Sequence, residues 1–125
     1  MTTWDRDKVA ISNKQLEGAE LKGLDLSGLD LSKANLISAN LITTNLSGTS
    51  LVGANLFSAK GMRADFSGSH LSGANLLKAN LARANLKESN FNDSDLTGAN
   101  LTECNLERAN FIRAILVEAN LLGAN

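Results

Sequence analysis

Residues 76–90 read LLKANLARANLKESN, three five-residue units that each begin with leucine. The same period extends through most of the chain: every fifth residue from Leu16 to Leu121 is Leu or Phe, with Gly61 as the exception. The residue two positions earlier is usually small, most often Ala, and the residue immediately before is most often Asn or Asp. A short repeat in one unbroken register predicts a fold made by stacking equivalent units.

The five-residue period excludes both an α-helix and one long strand. On a helix, five residues advance by about 500°, so successive leucines would lie about 140° apart and would not share a face. In an extended strand, residues five apart point to opposite sides. All the leucines can point inward only if the backbone turns once per unit in the same sense. The sequence therefore predicts an all-β solenoid with leucine at its centre.

Glycine and asparagine indicate where the turns lie. Nine of the ten glycines lie two positions after a central residue, which suits a turn residue with positive φ. The recurrent Asn or Asp before the central residue is expected to accept hydrogen bonds from turn backbone.

The charged residues favour four units in each turn of the solenoid. Four units place residues twenty apart at about 4.8 Å, the spacing between neighbouring strands. The opposite charges that then meet are Arg83–Glu103, Lys87–Glu107, Glu88–Arg108 and Asp93–Arg113. One like-charged pair, Arg63 with Arg83, also results, whereas an offset of fifteen pairs Glu103 with Glu118. Each exposed pair contributes only about 0.2–1 kcal/mol, so the charges support the register without proving it.

The A(N/D)LXX unit resembles the pentapeptide-repeat family, and the resemblance extends over residues 14–125. It implies a right-handed quadrilateral β-helix of about five and a half coils, with four units in each coil. The single domain then consists of this β-helix and an N-terminal segment, residues 1–13, that departs from the repeat.

We expect the N-terminal segment to cover the first coil, because a solenoid exposes an apolar cross-section at its ends. The sequence favours a short helix beginning near Thr2, with Asp5 in its first turn and with Trp4 and Val9 as the covering side chains. A frayed tail is the alternative.

No departing segment follows the repeat at the C-terminus, where the sequence reads LLGAN. Self-association through an uncapped last coil is therefore one hypothesis, since unpaired edges invite pairing. A chain cut short explains the same observation equally well.

The sequence contains no pattern typical of a catalytic, cofactor-binding or metal-binding site. Cys104, the single cysteine, occupies the small inward position, where a thiol substitutes for alanine. His70, the single histidine, occupies the Asn position. We therefore expect no enzyme, no cofactor and no metal.

Charge and hydropathy limit the partners and the location. Twelve basic and thirteen acidic residues give a net charge of −1, which provides no global attraction for nucleic acid or for an anionic membrane. We find no signal peptide and no apolar run of membrane-spanning length. The expectation is a cytoplasmic protein without nucleic-acid or membrane partners.

The candidates for binding a protein partner lie at the first outward position, which follows the central residue. Face 1 carries Ile37, Phe57, Leu77 and Val117 there, and the adjacent face 2 carries Ile42, Met62 and Leu122. Face 3 mostly carries polar residues (Ser27, Ser47, Ser67, Lys87, Glu107), as does face 4 (Ser32, Ser72, Asn92), where Val52 and Ile112 are exceptions. An apolar stripe commonly marks an interface. The alternative is that β propensity alone selects these residues.

Two functions of different classes follow. The first is a non-enzymatic protein–protein interaction or scaffold module. The second is implied by the resemblance: some pentapeptide-repeat proteins mimic duplex DNA in shape and charge and bind type II topoisomerases such as gyrase. Mimicry requires a strongly acidic surface, whereas many acids of this chain have a base twenty residues away.

Gly61 removes one inward leucine without changing the register on either side. An unfilled space of that size would cost about 2–5 kcal/mol. Phe66, at the next inward position, is the expected filler, and the flexible Met62 could also bend toward the gap. A small ligand pocket is the alternative.

Overall fold

The computed structural model describes residues 2–125 and shows a four-sided β-solenoid. Its backbone forms eighteen single-residue parallel bridges, from Gln15↔Asn35 to Asn100↔Asn120, and each joins residues twenty apart. Within the described residues the bridges do not extend into longer strands, because the chain turns after every unit. The single helix there is α1, Arg6–Ala10. Twenty residues, or four units, therefore make one coil.

Each turn is closed by a hydrogen bond within its unit and held by another to the next coil. The Ala19 amide donates to the Leu16 carbonyl at 3.1 Å, and the Gly18 amide donates to the Ile37 carbonyl at 2.8 Å. The third turn residue has positive φ, as in type II turns, whether it is Gly18 (65°) or Lys33 (60°). Glycine is thus common in the corner but not required, because the bonds on both sides fix the conformation.

The Asn and Asp side chains before the central residues stabilise these turns, as the sequence predicts. The Asn35 side chain accepts a hydrogen bond from the Ile37 amide at 3.2 Å. Asp95 accepts from both the amide (2.9 Å) and the hydroxyl (2.6 Å) of Thr97, which lowers the pKa of the Asp95 carboxyl below its usual value. The same pattern recurs around the solenoid, so this position holds its neighbouring turn and is not a ligand by itself.

Leucine fills the interior. Most central residues from Leu16 to Leu101 are fully buried, and the small residues between them are buried as well. On the last coil the Phe111 ring stacks on Phe91, with ring centroids 4.9 Å apart.

The four ion pairs expected at an offset of twenty are all present, and they confirm the register. Arg83–Glu103 (2.5 Å), Lys87–Glu107 (3.8 Å), Arg108–Glu88 (3.6 Å) and Arg113–Asp93 (2.6 Å) each connect successive coils.

The N-terminal helix packs on the first coil, but it begins later than the sequence suggests. Asp5 is its N-cap and not part of its first turn, because the Asp5 carboxylate accepts a hydrogen bond from the Lys8 amide at 2.8 Å. Val9 is buried and Trp4 partly covers the core. The Arg6 guanidinium donates to the Asp25 carbonyl at 3.0 Å and to the Ser27 carbonyl at 2.9 Å, which ties the helix to the solenoid.

The space left by Gly61 is filled chiefly by Leu81, one coil further on, and not by Phe66 alone. A Cβ atom added at Gly61 would lie 2.7 Å from Leu81 Cδ2 and 3.5 Å from Phe66 Cε2. The φ of Gly61 lies outside the left-handed region, and its amide keeps the usual bond to the Asn80 carbonyl at 2.7 Å. The backbone hydrogen bonds of the coil therefore continue through Gly61.

Substitutions at Gly61 test this packing. Gly61→Ala should change the free energy of unfolding by less than about 1 kcal/mol, because only the end of the Leu81 side chain must rotate. Gly61→Leu should lower it by about 1–3 kcal/mol, since the Phe66 ring also occupies the space. Urea unfolding of both variants, and of Gly61→Leu with Phe66→Leu, measures these differences. Equal stability of Gly61→Leu and the wild type would contradict the packing described.

Candidate partner-binding surface

The two residues with reactive side chains do not form a site. Cys104 is buried, and its thiol donates a hydrogen bond to the Leu81 carbonyl at 2.8 Å. Burial raises the pKa of this thiol from 9.0 to about 11, so it stays protonated at neutral pH and is a poor nucleophile. His70 is exposed, and its backbone bridges Ser50 and Asn90 as any residue of that column does.

The raised pKa of Cys104 predicts a pH dependence of stability. Below pH 9.0 the thiol is protonated in both folded and unfolded chains, whereas between pH 9.0 and about 11 only the unfolded thiol ionises. The free energy of unfolding should therefore fall across this window, by no more than about 3 kcal/mol.

The variant Cys104→Ala isolates this contribution, because alanine is the usual residue at the position. The difference in unfolding free energy between wild type and Cys104→Ala, measured by urea titration at several pH values, should change between pH 9.0 and about 11. A difference independent of pH would show that the thiol is not buried in the folded chain.

The first outward position is half-buried, although it points away from the core. Ile37, Ile42, Phe57, Met62 and Leu77 are all half-buried, and the second outward position is mostly exposed. The reason is the stacking of coils: each of these side chains lies beside its equivalents about 4.8 Å above and below.

Five of the six predicted partner-binding residues come together. Ile37, Phe57 and Leu77 lie on successive coils of face 1, and Ile42 and Met62 lie on the same part of face 2. We refer to these five as the apolar cluster. Val117, the sixth, is separated from them by Thr97 and is 59% exposed on the last coil, near Ile112, Ile115 and Leu122.

A groove borders the apolar cluster on face 2. It has a volume of about 180 Å³ and is lined by Met62, Arg63, Ala82 and Arg83. The small side chain of Ala82 opens it, because Ile42 and Met62 occupy the equivalent position in the preceding coils. The sequence analysis predicted Met62 as a binding residue because it is apolar, but it did not predict Arg63 and Arg83. The sequence did contain a signal for them, because two like charges twenty residues apart lie on successive coils.

The charges around the groove are unevenly paired. Arg83 is held by Glu103, with 2.5 Å between Nε and Oε2. Arg63 forms no ion pair within residues 2–125. An exposed cation therefore stands beside an apolar floor.

The bridges between residues twenty apart define a class of protein, a four-sided β-solenoid with residue columns along its faces. A profile of the family described as "Pentapeptide repeats" matches residues 15–51, 34–60, 62–98 and 94–125, in eight copies. The chain belongs to the pentapeptide-repeat family. Among curated protein sequences, none matches it.

Solved structures of pentapeptide-repeat proteins are similar to the chain. Alr5209 from Nostoc PCC 7120 is 26% identical, with 92% of this chain and 90% of that chain covered and a TM-score of 0.53. Rfr23 from the cyanobacterium Cyanothece 51142 is 35% identical, with 80% and 65% covered and a TM-score of 0.48. The chain thus spans about 65% of the length of Rfr23.

A more distant likeness involves a trypsin-treated form of QnrB1, a plasmid-mediated fluoroquinolone resistance protein. It is 22% identical, with 82% of this chain and 60% of that chain covered and a TM-score of 0.53. At this identity the likeness shows the fold alone. Within residues 2–125, no helix is long and apolar enough to cross a membrane.

Proposed function

We propose that this chain is a non-enzymatic protein–protein interaction or scaffold module that presents its apolar cluster to a protein partner. The observation that carries the proposal is the difference between faces built on one backbone. Between residues 37 and 77 the first outward position on faces 1 and 2 is always apolar (Ile37, Ile42, Phe57, Met62, Leu77). Over the same stretch faces 3 and 4 carry Ser47, Ser67 and Ser72 there, with Val52 as the exception.

The comparison between faces weighs against β propensity as the cause. All four faces repeat the same turn and the same ladder of hydrogen bonds between coils. A preference that came from the backbone would act equally on each face, yet Ser47 and Ser67 occupy on face 3 the position that Phe57 and Met62 occupy on faces 1 and 2. Contiguous apolar surface of this kind commonly marks an interface.

The rigidity of the solenoid also suits this role. Each coil bonds to the next through backbone amides on all four faces, so the apolar cluster keeps one shape whether or not a partner is bound. Binding then requires little ordering of the protein, which lowers its entropic cost.

Mimicry of DNA and binding of gyrase is the competing function, and the surface charges do not favour it. Four of the carboxylates on the second half of the solenoid, Glu88, Asp93, Glu103 and Glu107, are paired with bases. Residues 54–85 contain four basic residues and one acidic residue, which interrupts any acidic stripe. A gyrase supercoiling assay with and without the protein separates the two functions.

Paired substitutions test the proposed surface. Phe57→Ser combined with Leu77→Ser removes the centre of the apolar cluster. Val52→Ser combined with Ile112→Ser is the matched control, since these residues occupy the same unit position on face 4 and are 41% and 55% exposed.

We expect the wild type and the control to capture the same discrete protein from an extract of the native host, and the Phe57→Ser/Leu77→Ser variant to lose it. Thermal unfolding should stay cooperative in both variants, with a loss of stability below about 2 kcal/mol. Equal capture by both variants, or unfolding of the Phe57→Ser/Leu77→Ser chain, would contradict the assignment.

A further inference from the structure

The groove on face 2 combines an apolar floor with cations on both sides. Met62 and Ala82 form the floor, and Arg63 and Arg83 line the edge that leads to face 3. Lys60 and Lys78 occupy exposed positions toward the opposite edge, at the bridge and at the preceding corner.

The space between the two arginines has a structural cause. Both occupy the third turn position, with φ of 57° and 62°, and they stand on successive coils. Arg83 is held by Glu103, on the coil that follows, so its guanidinium is drawn away from Arg63. Arg63 has Thr43 at the equivalent position on the preceding coil and therefore no carboxylate there.

A net positive charge is found only in this part of the solenoid. Residues 54–85 contain Lys60, Arg63, Lys78 and Arg83 against Asp65 alone. The Asp65 carboxylate accepts from the Ser67 amide at 2.9 Å and so belongs to the turn on face 3. Residues 2–53 contain five basic and six acidic residues, and residues 86–125 contain three basic and six acidic residues.

We infer that this groove binds a short acidic peptide segment of the protein partner, with a carboxylate at Arg63 and an adjacent apolar side chain over Met62 and Ala82. The inference rests on the proposed function and identifies the chemistry of the partner. Guanidinium and carboxylate form strong, charge-assisted hydrogen bonds. The Arg63 guanidinium has no carboxylate partner within residues 2–125 and can therefore bind one from a peptide.

The size of the groove fits side chains better than a cofactor. Its volume of about 180 Å³ is smaller than the roughly 300–1,000 Å³ of typical small-molecule pockets. The net negative charge of residues 86–125, with six acidic and three basic residues, would repel a long polyanion lying along the solenoid, whereas a short acidic segment meets only the basic part.

Fluorescence anisotropy with the full chain tests this directly. The probe is a labelled short peptide of alternating Glu and Leu. The same peptide with Gln in place of Glu, and a single-stranded oligothymidylate, are the comparison probes. We expect binding of the Glu peptide, with affinity that falls as salt is added, and at least about tenfold weaker binding of the other two.

Two variants locate the site. Arg63→Gln should weaken binding of the Glu peptide about tenfold. Arg108→Gln is the matched control, because Arg108 occupies the same turn position with a φ of 58° but is paired with Glu88. Ala82→Ile should also weaken binding, since it fills the floor with a residue that Ile42 shows the column accepts.

The peptide-binding results test the groove, whereas partner capture tests the proposed function, so the two can fail separately. Equal binding by Arg63→Gln and Arg108→Gln, tighter binding of the oligothymidylate, or no binding of the Glu peptide at millimolar concentration would overturn the groove as an acidic-peptide site. The proposed function would still stand if Phe57→Ser/Leu77→Ser alone loses the captured partner. Loss of partner capture by Arg63→Gln, with retention by Arg108→Gln, would support both.

Discussion

The stacking of one inward side chain per unit, closed by a turn after every five residues, is the constraint on which this structure depends. The leucines can meet in the centre only if each wall is one unit long, and the backbone amides can pair only if the next coil repeats the same path. Each coil therefore stabilises its neighbours and is stabilised by them, in the nearest-neighbour manner typical of solenoids. Gly61 shows how local this dependence is. The space left by one missing leucine is filled chiefly by Leu81 from the next coil, and the backbone follows the same path on either side.

The same constraint separates the positions that make the fold from those free to carry function. The small residue, the Asn or Asp and the central leucine are all committed to packing or to turns, so chemical variety is left to the two outward positions. Because those positions stack at twenty-residue intervals, a preference repeated in sequence becomes a continuous column on one face. The apolar cluster and the groove on face 2 are both formed by neighbouring columns of this kind, and Met62 belongs to both.

Much of the fold could be predicted from the sequence because its determinants are local and repeated. The period of five gave the inward side, and Arg83 with Glu103 and Asp93 with Arg113 indicated the register. What failed depended on contacts between coils or on atomic geometry. The half-burial of Phe57 comes from its neighbours one coil away, and the start of α1 depends on the bond between Asp5 and Lys8. The sequence did not predict the groove, because the groove depends on the direction of the Arg83 side chain, which is set by its ion pair with Glu103.

The number of residues in one coil determines which residues share a column. A distance between two residues of one column, measured in solution, tests this number most directly. Lys22 and Leu122 are exposed, occupy the same column and are five coils apart, and Cys104→Ala removes the one native thiol. Spin labels on Lys22→Cys and Leu122→Cys in that background, measured by pulsed electron paramagnetic resonance, should lie about 24 Å apart along the axis. A distance of about 32 Å, as fifteen residues per coil would give, would contradict the account.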